Sequence, residues 1–537
     1  METITNWIQS FCIVEFNNTT GQKVTCVYPK KIRYSERGLQ NIAFYSFPST
    51  TPQNDLSCFY CFRIARKESP LYGYVWFTSV KDETNKRGFC QKSIVLISEH
   101  PFYSLFSGVM EELGPKGFKE GMPALEQAYK NIATGWPTKI TRGELYDIPF
   151  FTKAIPIFIP RRLTLSYLER SRTTPQQDPL VKENPSCCLC LKGFCGLDTN
   201  LYLIFKDILK QMTLLWQLMI TGTNLLVTSS SPQICSQVVL SLSGLLFPIT
   251  FQGKLFPYFT IRNSGFKTFC KKYKQKDRTQ RNGIVMGTTN PFFSQSPYAH
   301  WENHLFLFTE NEKYQIIRNN NKKKSKKNLQ KTHLISPVSP IIKFDFSFLK
   351  KLKKKDKKIN EELLIHQKNQ LLREYFWKLN RKFMCPLEQY LTSLIPNIND
   401  IEPFTKPPIF KGFNEKEFLN KFSNKKLDFE FKKRDKWLSI YKQFIHTETF
   451  YQWYQSYKRN ILEKLGKKYR EMLLQWDYMN YSKTISDKKK LKCFEIILNR
   501  SKNKGMDNDP QLKKKVSQLL LDIHSSLPQE ISKKINL

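Results

Sequence analysis

The spacing of apolar residues along this chain changes character twice, and that limits the folds open to it. Over the first third, Phe11 to Phe16, Lys23 to Tyr28, Ser57 to Ile64, Tyr72 to Val80 and Ser93 to Ser98 are short and rich in Val, Ile, Phe, Tyr and Thr, with turn formers between them. Branched and aromatic side chains suit a pleated surface, so these segments predict the strands of one sheet. Ser35-Glu36-Arg37-Gly38-Leu39 predicts a helix start between the second and third strands. Apolar residues at three-to-four spacing predict two more helices, Phe102 to Leu113 and Met122 to Thr134. An α/β unit ending near Pro137 follows.

The middle third repeats the alternation on a larger scale. An amphipathic run extends from Tyr202 to Ile220, the strand Leu225-Leu226-Val227-Thr228 follows, and Ser230-Ser231-Pro232 opens a helix through Leu246. Serine and proline stand where a helix N-cap and first turn favour them. Further strands are predicted at Gly283 to Gly287 and Leu305 to Phe308, the first running into Thr289-Asn290-Pro291-Phe292-Phe293.

From Asn319 to Asn360 the periodicity fails and Pro337 and Pro340 interrupt, which predicts a flexible linker or insertion. Beyond it the pattern is helical: Glu361 to Leu394, Lys416 to Phe422, Lys436 to Phe444, Phe450 to Trp476, Lys488 to Arg500, Gln511 to His524 and Gln529 to Ile535. No repeat of fixed period is present. The expected class is α/β plus α: an α/β lobe over 1–137, a second over 138–318, a lysine-rich segment over 319–360 and an all-α region over 361–537.

With 537 residues, 40% hydrophobic and 14% aromatic, the chain has apolar material for more than one core. Its formal net charge of +40 directs attention to polyanions, but the charge is regional. Residues 1–180 hold 22 Lys and Arg against 16 Asp and Glu, whereas Lys322 to Lys358 holds 14 lysines against Asp345 and Asp356 alone. Two readings of that run stand: a basic interaction surface, or drift in a sequence rich in Asn, Ile, Phe and Lys. The 13 cysteines and a start without a charged n-region or apolar h-region predict a reducing cytosol. Met212 to Val227 and Val238 to Phe251 are too short and too broken by polar residues to span a bilayer.

Motifs for covalent or metal chemistry fail on spacing. Gly253-Lys254 and Gly466-Lys467 lack the first glycine of a phosphate-cradling loop, its place being held by Pro248 and Ile461. Cys58 and Cys61 have a zinc-pair spacing but lie in a strand pattern, where residues three apart face opposite ways. Cys187, Cys188, Cys190 and Cys195 form a denser cluster, for which metal or redox sensitivity stays open. In His300-Trp301-Glu302-Asn303-His304 the glutamate is misplaced for a zinc protease, and structural histidines are expected. No G-x-S-x-G elbow appears. Aromatics among lysines, as in Phe429-Glu430-Phe431-Lys432-Lys433 and Tyr451 to Tyr457, fit helical core spacing better than a base-stacking groove, so nucleic acid is not expected as a partner.

Several stretches, in order, resemble DENN modules of the type-six subgroup: Phe11 to Phe16, Gly38-Leu39-Gln40-Asn41-Ile42-Ala43-Phe44-Tyr45-Ser46-Phe47-Pro48, Phe59 to Arg63, Tyr72 to Val75, and Lys86-Arg87-Gly88-Phe89-Cys90-Gln91-Lys92-Ser93 continuing to Ser98. The resemblance continues through Leu215-Trp216-Gln217-Leu218, Phe256 to Ile261, Pro386-Leu387-Glu388-Gln389-Tyr390, Phe450-Tyr451-Gln452-Trp453 and Leu527-Pro528-Gln529-Glu530. It is weak over Thr138 to Asn200 and absent from the lysine run. It implies a longin-like first lobe, a central DENN lobe and a distal helical lobe. It also implies guanine nucleotide exchange on a Rab-type GTPase, held between the first two lobes, with no cofactor and no covalent step. Rabs of endosomal recycling are the kind expected, at the cytosolic face of endosomal membranes.

Loops and strand ends on a rigid scaffold supply the candidate contacts. They are Gln91 and Lys92 in the first lobe, and Ser230, Ser231, Pro232, Asn290 and Pro291 in the second. Lys350, Lys351, Lys353, Lys354, Lys355, Lys357 and Lys358 are the candidates for a mobile tether to an anionic membrane.

Overall fold

The structure, a computed structural model, describes residues 2–3, 7–49, 55–64, 66, 69–85, 88–159, 188–189, 195–263, 266, 283–290, 292–295, 301–307, 333–344, 346–354, 360–397, 409–501 and 510–529. The chain divides into two compact units, the first Met1–Cys385 with Phe429–Tyr451, the second Pro386–Asp428 with Gln452–Leu537.

The first unit opens on strands β1 (Ser10–Asn17) and β2 (Gly21–Tyr28), helix α1 (Glu36–Tyr45), strands β3 (Leu56–Ile64), β4 (Leu71–Lys81) and β5 (Phe89–Ser98), and helices α2 (Tyr103–Glu120) and α3 (Met122–Gly135). The strands pair antiparallel in the order β2-β1-β5-β4-β3. Alternation sorts their side chains cleanly. Phe11, Ile13, Phe59, Cys61, Tyr74, Ile94 and Leu96 join one core with Leu105, Phe106, Val109 and Leu113 of α2 and Leu125 of α3. Cys12, Val14, Tyr60, Phe62, Val75, Val95 and Ile97 join another with Ile42 and Tyr45 of α1. A sheet buried on both faces needs continuous apolar strands, which is how these segments read. Gly114 lets α2 lie flat on it: a β-carbon there would fall 2.1 Å from the Trp76 ring. Ser35 caps α1 by accepting from Gly38 N.

A hairpin of β6 (Leu145–Phe150) and β7 (Lys153–Phe158) follows. The run expected as one amphipathic helix from Tyr202 to Ile220 is broken instead. Leu201–Phe205 is helical, Lys206–Gln211 is a 3-10 turn with Ile208 at φ −122°, and α4 (Met212–Ile220) resumes with all nine residues buried. The kink turns α4 into the interior, where no polar face is needed.

Strand β8 (Leu225–Ser229), helix α5 (Pro232–Gly244), and strands β9 (Lys254–Phe256), β10 (Ile284–Thr288), β11 (His304–Leu307) and β12 (His333–Ile335) build the central sheet in the order β9-β10-β8-β11-β12. All its pairs are parallel except β11 with β12. Strand β12 and helix α6 (Phe346–Lys353) fall inside the segment expected to be a linker. Ladder bonds to β11 and the burial of Leu349 and Leu352 hold them, and neither signal is strong in so short a stretch.

Helix α7 (Glu361–Thr392) supplies the first unit with residues up to Cys385, joined there by α9 (Arg434–Phe444). Phe383, Trp437, Tyr441 and Phe444 pack with Trp216 of α4 into an aromatic core. Phe431 stacks on Trp437 and Phe429 meets it edge-on, as core aromatics do. The second unit contains α8 (Glu415–Ser423), packed through Phe418 on Tyr390. Its distal end holds α11 (Tyr478–Ser482), α12 (Asp487–Ser501) and α13 (Pro510–Ser525) around Leu473, Phe494, Ile497, Leu519 and Ile523. The helix α10 (Glu448–Gln475) carries Leu465 and Tyr469 into a smaller core with Ile395 and Ile461. The helix expected at Gln529 to Ile535 lies almost wholly outside the described residues. Among the described residues no helix is long and apolar enough to cross a membrane.

Candidate functional site

Parallel neighbours end on the same side, so β8 and β10, in register at Thr228 and Thr288, deliver the residues after each strand to one edge. Ser229, Ser230 and Ser231 follow from β8, with Pro232 as the first residue of α5, and Thr289 and Asn290 follow from β10. The crevice beyond the carboxyl ends of parallel strands is where α/β sheets present binding residues. Four candidates read from sequence, Ser230, Ser231, Pro232 and Asn290, are therefore brought together. Pro291 lies outside the described residues.

Ser231 occupies the N-cap position, but its hydroxyl makes no capping bond; its backbone N donates to Ser229 Oγ at 3.4 Å. Asn290 Oδ1 accepts from Phe292 N at 2.9 Å, and Asn290 N donates to Thr288 Oγ1 at 3.2 Å, an Asx turn that fixes the chain leaving β10. The edge abuts the first sheet. Tyr258 accepts from Ser49 N at 2.8 Å, shares a hydrogen bond with Thr289 Oγ1 at 3.1 Å, and packs on Tyr60 with ring centroids 5.1 Å apart. Sequence reasoning missed Tyr258, Thr289 and Ser49 as a unit, because pairing across so many residues leaves no local signature.

Burial moves the pKa values of the ionisable groups here far from pH 7. Burial pushes the Tyr258 phenol up to about 12 against the opposing hydrogen bond from Thr289. Burial raises the Cys235 thiol to about 12, and the thiol donates to the Thr288 carbonyl at 3.2 Å. Burial takes His304 down to about 3, and its Nε2 lies 2.8 Å from Thr228 Oγ1. A protonated thiol, a protonated phenol and a neutral imidazole can hydrogen-bond, but none is poised for proton transfer near pH 7.

Gln91 and Lys92 sit differently. Gln91 donates to Ser79 Oγ at 3.5 Å within the first sheet. Lys92 pairs with Glu15 at 3.0 Å and donates to the Phe118 carbonyl at 3.5 Å, on the face covered by α2. That face is opposite to the one meeting the central sheet, so Lys92 does not join the edge. Of the cysteines, Cys58 packs in the α1-side core and Cys61 in the α2-side core, on opposite faces of β3. Cys188 is buried, Cys195 shares a hydrogen bond with Tyr72 at 3.3 Å, and Cys187, Cys190 and His300 lie outside the described residues.

A buried polar network lies toward the C-terminal end of α5, where Ser241 Oγ donates to Thr199 Oγ1 at 2.7 Å. Arg373 of α7 donates to the carbonyls of Gly196, at 3.2 Å, and Thr199. Asp198 accepts from Ser104 N at 2.8 Å. Burial raises the Asp198 carboxyl, opposed by the Ser104 bonds and Arg373, while burial lowers Arg373 to about 10 against the pull of Asp198.

A family model described as "Stabilization of polarity axis" matches residues 198–305, the stretch that builds the central sheet through β11. The chain is 29% identical to the "Protein DENND6 homolog" of Dictyostelium discoideum, over 88% of this chain and 73% of that protein. It is 26% identical to "Protein DENND6A" of Gallus gallus over 98% and 92% of the two chains. It is 27% identical to "Protein DENND6B" of Homo sapiens over 92% and 85%. Similarity to proteins of one name, sustained over 88 to 98% of this chain, supports the type-six subgroup of DENN domain-containing proteins as its family.

Proposed function

We propose that this chain is a guanine nucleotide exchange factor for a Rab-type small GTPase of the endosomal recycling kind. The observation that carries it is similarity to type-six DENN proteins over nearly the whole chain, together with the edge where Ser230, Ser231, Pro232 and Asn290 converge beside the first sheet. In this reading residues 1–137 are a longin-like lobe, 138–318 the DENN lobe, and the segments after 361 the distal helical lobe. The GTPase lies against the strand-end edge, with Pro291 beside Asn290, while Gln91 and Lys92 of the first lobe are contacts apart from that edge. The factor sits at the cytosolic face of endosomal membranes as a peripheral protein.

Binding energy does the work. The factor accelerates GDP release by as much as it binds the nucleotide-free GTPase more tightly than the GDP form, and each tenfold needs about 1.4 kcal/mol. That demands rigid, hydrogen-bonding groups in place of a nucleophile, which suits an edge whose thiol, phenol and imidazole are held in neutral forms. Release of a fluorescent GDP analogue across a panel of Rabs is the test. Acceleration of at least one Rab by micromolar factor is expected, and no acceleration of any Rab removes the proposal. Preference for the GTP-bound over the nucleotide-free form would instead assign a non-catalytic trafficking scaffold.

A further inference from the structure

Helix α6 is held to its unit by one face. Leu349 and Leu352 are buried, and the Phe348 ring lies 5.0 Å from Tyr375. Phe344, just before the helix, packs on Tyr375 and Phe376 at 4.5 and 5.9 Å. The incoming strand of chain is pinned as well: Ile341 N donates to Gln217 Oε1 at 3.0 Å and Thr213 Oγ1 to the Ile342 carbonyl at 2.8 Å. Lys350, Lys351 and Lys353 are thus carried on a fixed helix and not on the mobile run expected from sequence, while Lys355, Lys357 and Lys358 lie outside the described residues.

At 3.6 residues per turn, Phe346, Lys350 and Lys353 share a stripe about 90° round the helix from the line of Leu349 and Leu352, with Lys351 farther round from that line and Lys354 directly after the last helical residue. The four lysines are exposed, and Phe346 is 79% exposed, the most solvated large apolar side chain among the described residues. Asp345 and Asp356 are the only acidic residues between Lys343 and Lys358. A solvated phenylalanine ringed by lysines contributes nothing to folding, but it has the composition of a shallow bilayer contact.

We propose that α6 docks this protein on anionic phospholipid, with Phe346 entering the boundary between headgroups and acyl chains and Lys350, Lys351, Lys353 and Lys354 lying at the phosphates. The inference rests on the peripheral membrane placement proposed above, and not on exchange activity. One ring among lysines on a short convex helix suits a flat acidic surface; a nucleic-acid strand calls for successive rings along a groove. Each lysine near such a surface raises partitioning about fivefold. Burial of the Phe346 ring adds about tenfold or more, and that share survives salt.

The test is sedimentation of the full chain with phosphatidylcholine vesicles, with and without phosphatidylserine. Binding only to the acidic vesicles is expected. Lys350→Gln, Lys351→Gln and Lys354→Gln together should weaken it about hundredfold at low salt, and Phe346→Ser about tenfold at low and high salt alike. In Phe346→Trp, brominated lipid should quench the added fluorescence. No binding by the parent chain, equal binding by the variants, or an unquenched tryptophan would overturn the proposal. Tighter binding of single-stranded RNA than of vesicles, lost in the same variants, would transfer the face to nucleic acid. GDP release in solution should be unchanged in all three proteins; a parallel loss would place α6 in the GTPase interface and overturn membrane docking. A parent chain that binds vesicles but accelerates no Rab strikes the exchange reading alone.

Discussion

Replacing Asn380 with leucine tests whether the first unit is held together by a single buried amide. Asn380 is fully buried; its Oδ1 accepts from the Trp216 indole N–H at 2.6 Å, and its Nδ2 donates to the carbonyls of Leu245 and Phe247 at 2.7 and 2.9 Å. One side chain of α7 thereby satisfies α4 and the chain leaving α5. Leucine is close to asparagine in size, so the change removes hydrogen bonds while largely keeping shape. The orphaned indole N–H loses about 2 kcal/mol and each carbonyl about 1 kcal/mol, since a carbonyl keeps a second lone pair. Added apolar burial returns about 1 kcal/mol, leaving a loss of about 3 kcal/mol. Amide hydrogen exchange measures it locally, which avoids treating a two-unit chain as two-state. Amides of α4 and of residues 376–383 should exchange about a hundredfold faster where they open by local unfolding. Trp216→Phe in the same background completes a double-mutant cycle, and the double variant should be less destabilised than the sum by about 1 to 2 kcal/mol. A loss under about 0.5 kcal/mol, or strict additivity with Trp216→Phe, would refute the reasoning.

Asn290→Ala should lower GDP release at least about tenfold, equivalent to about 1.4 kcal/mol, whereas Asn290→Asp, which keeps the acceptor for Phe292 N, should preserve the turn; equal exchange in parent and alanine variant counts against the strand-end edge. Burial holds the His304 imidazole down to about 3, against the ordinary 6.5 of an exposed histidine, so acidification protonates the unfolded chain first and stability falls as pH drops through 6.5. At pH 5.5 the loss from this group is about 1.4 kcal/mol, and His304→Gln should flatten the pH dependence of the unfolding free energy, read from urea titrations, by that amount between pH 7.5 and 5.5. Gly196 has φ +69° and its added β-carbon would lie 2.1 Å from the Leu240 carbonyl oxygen, so Gly196→Ala should cost about 3 kcal/mol or more. An unchanged thermal midpoint in that variant would show that the close approach to α5 is not required.

What the chain determined by itself is the local period. Phe11 to Phe16 and Ser93 to Ser98 are continuous apolar runs, and both are central strands buried on two faces, as such runs must be. Ser35 announced α1, and the spacing after Leu394 announced helices, because caps and helical stripes are written in residues close in sequence. The parallel pairing of β8 and β10, which gathers Ser230, Ser231 and Asn290 at one edge, joins residues that no window spans. Tertiary structure also decided that Lys92 faces α2, that Ile208 breaks an otherwise helical run, and that α6 exists within a lysine-rich stretch. Two leucines three residues apart in an eight-residue helix are too short a pattern to read against fourteen lysines; the burial of Leu349 and Leu352 against the rest of the unit is what gives that segment a reason to fold.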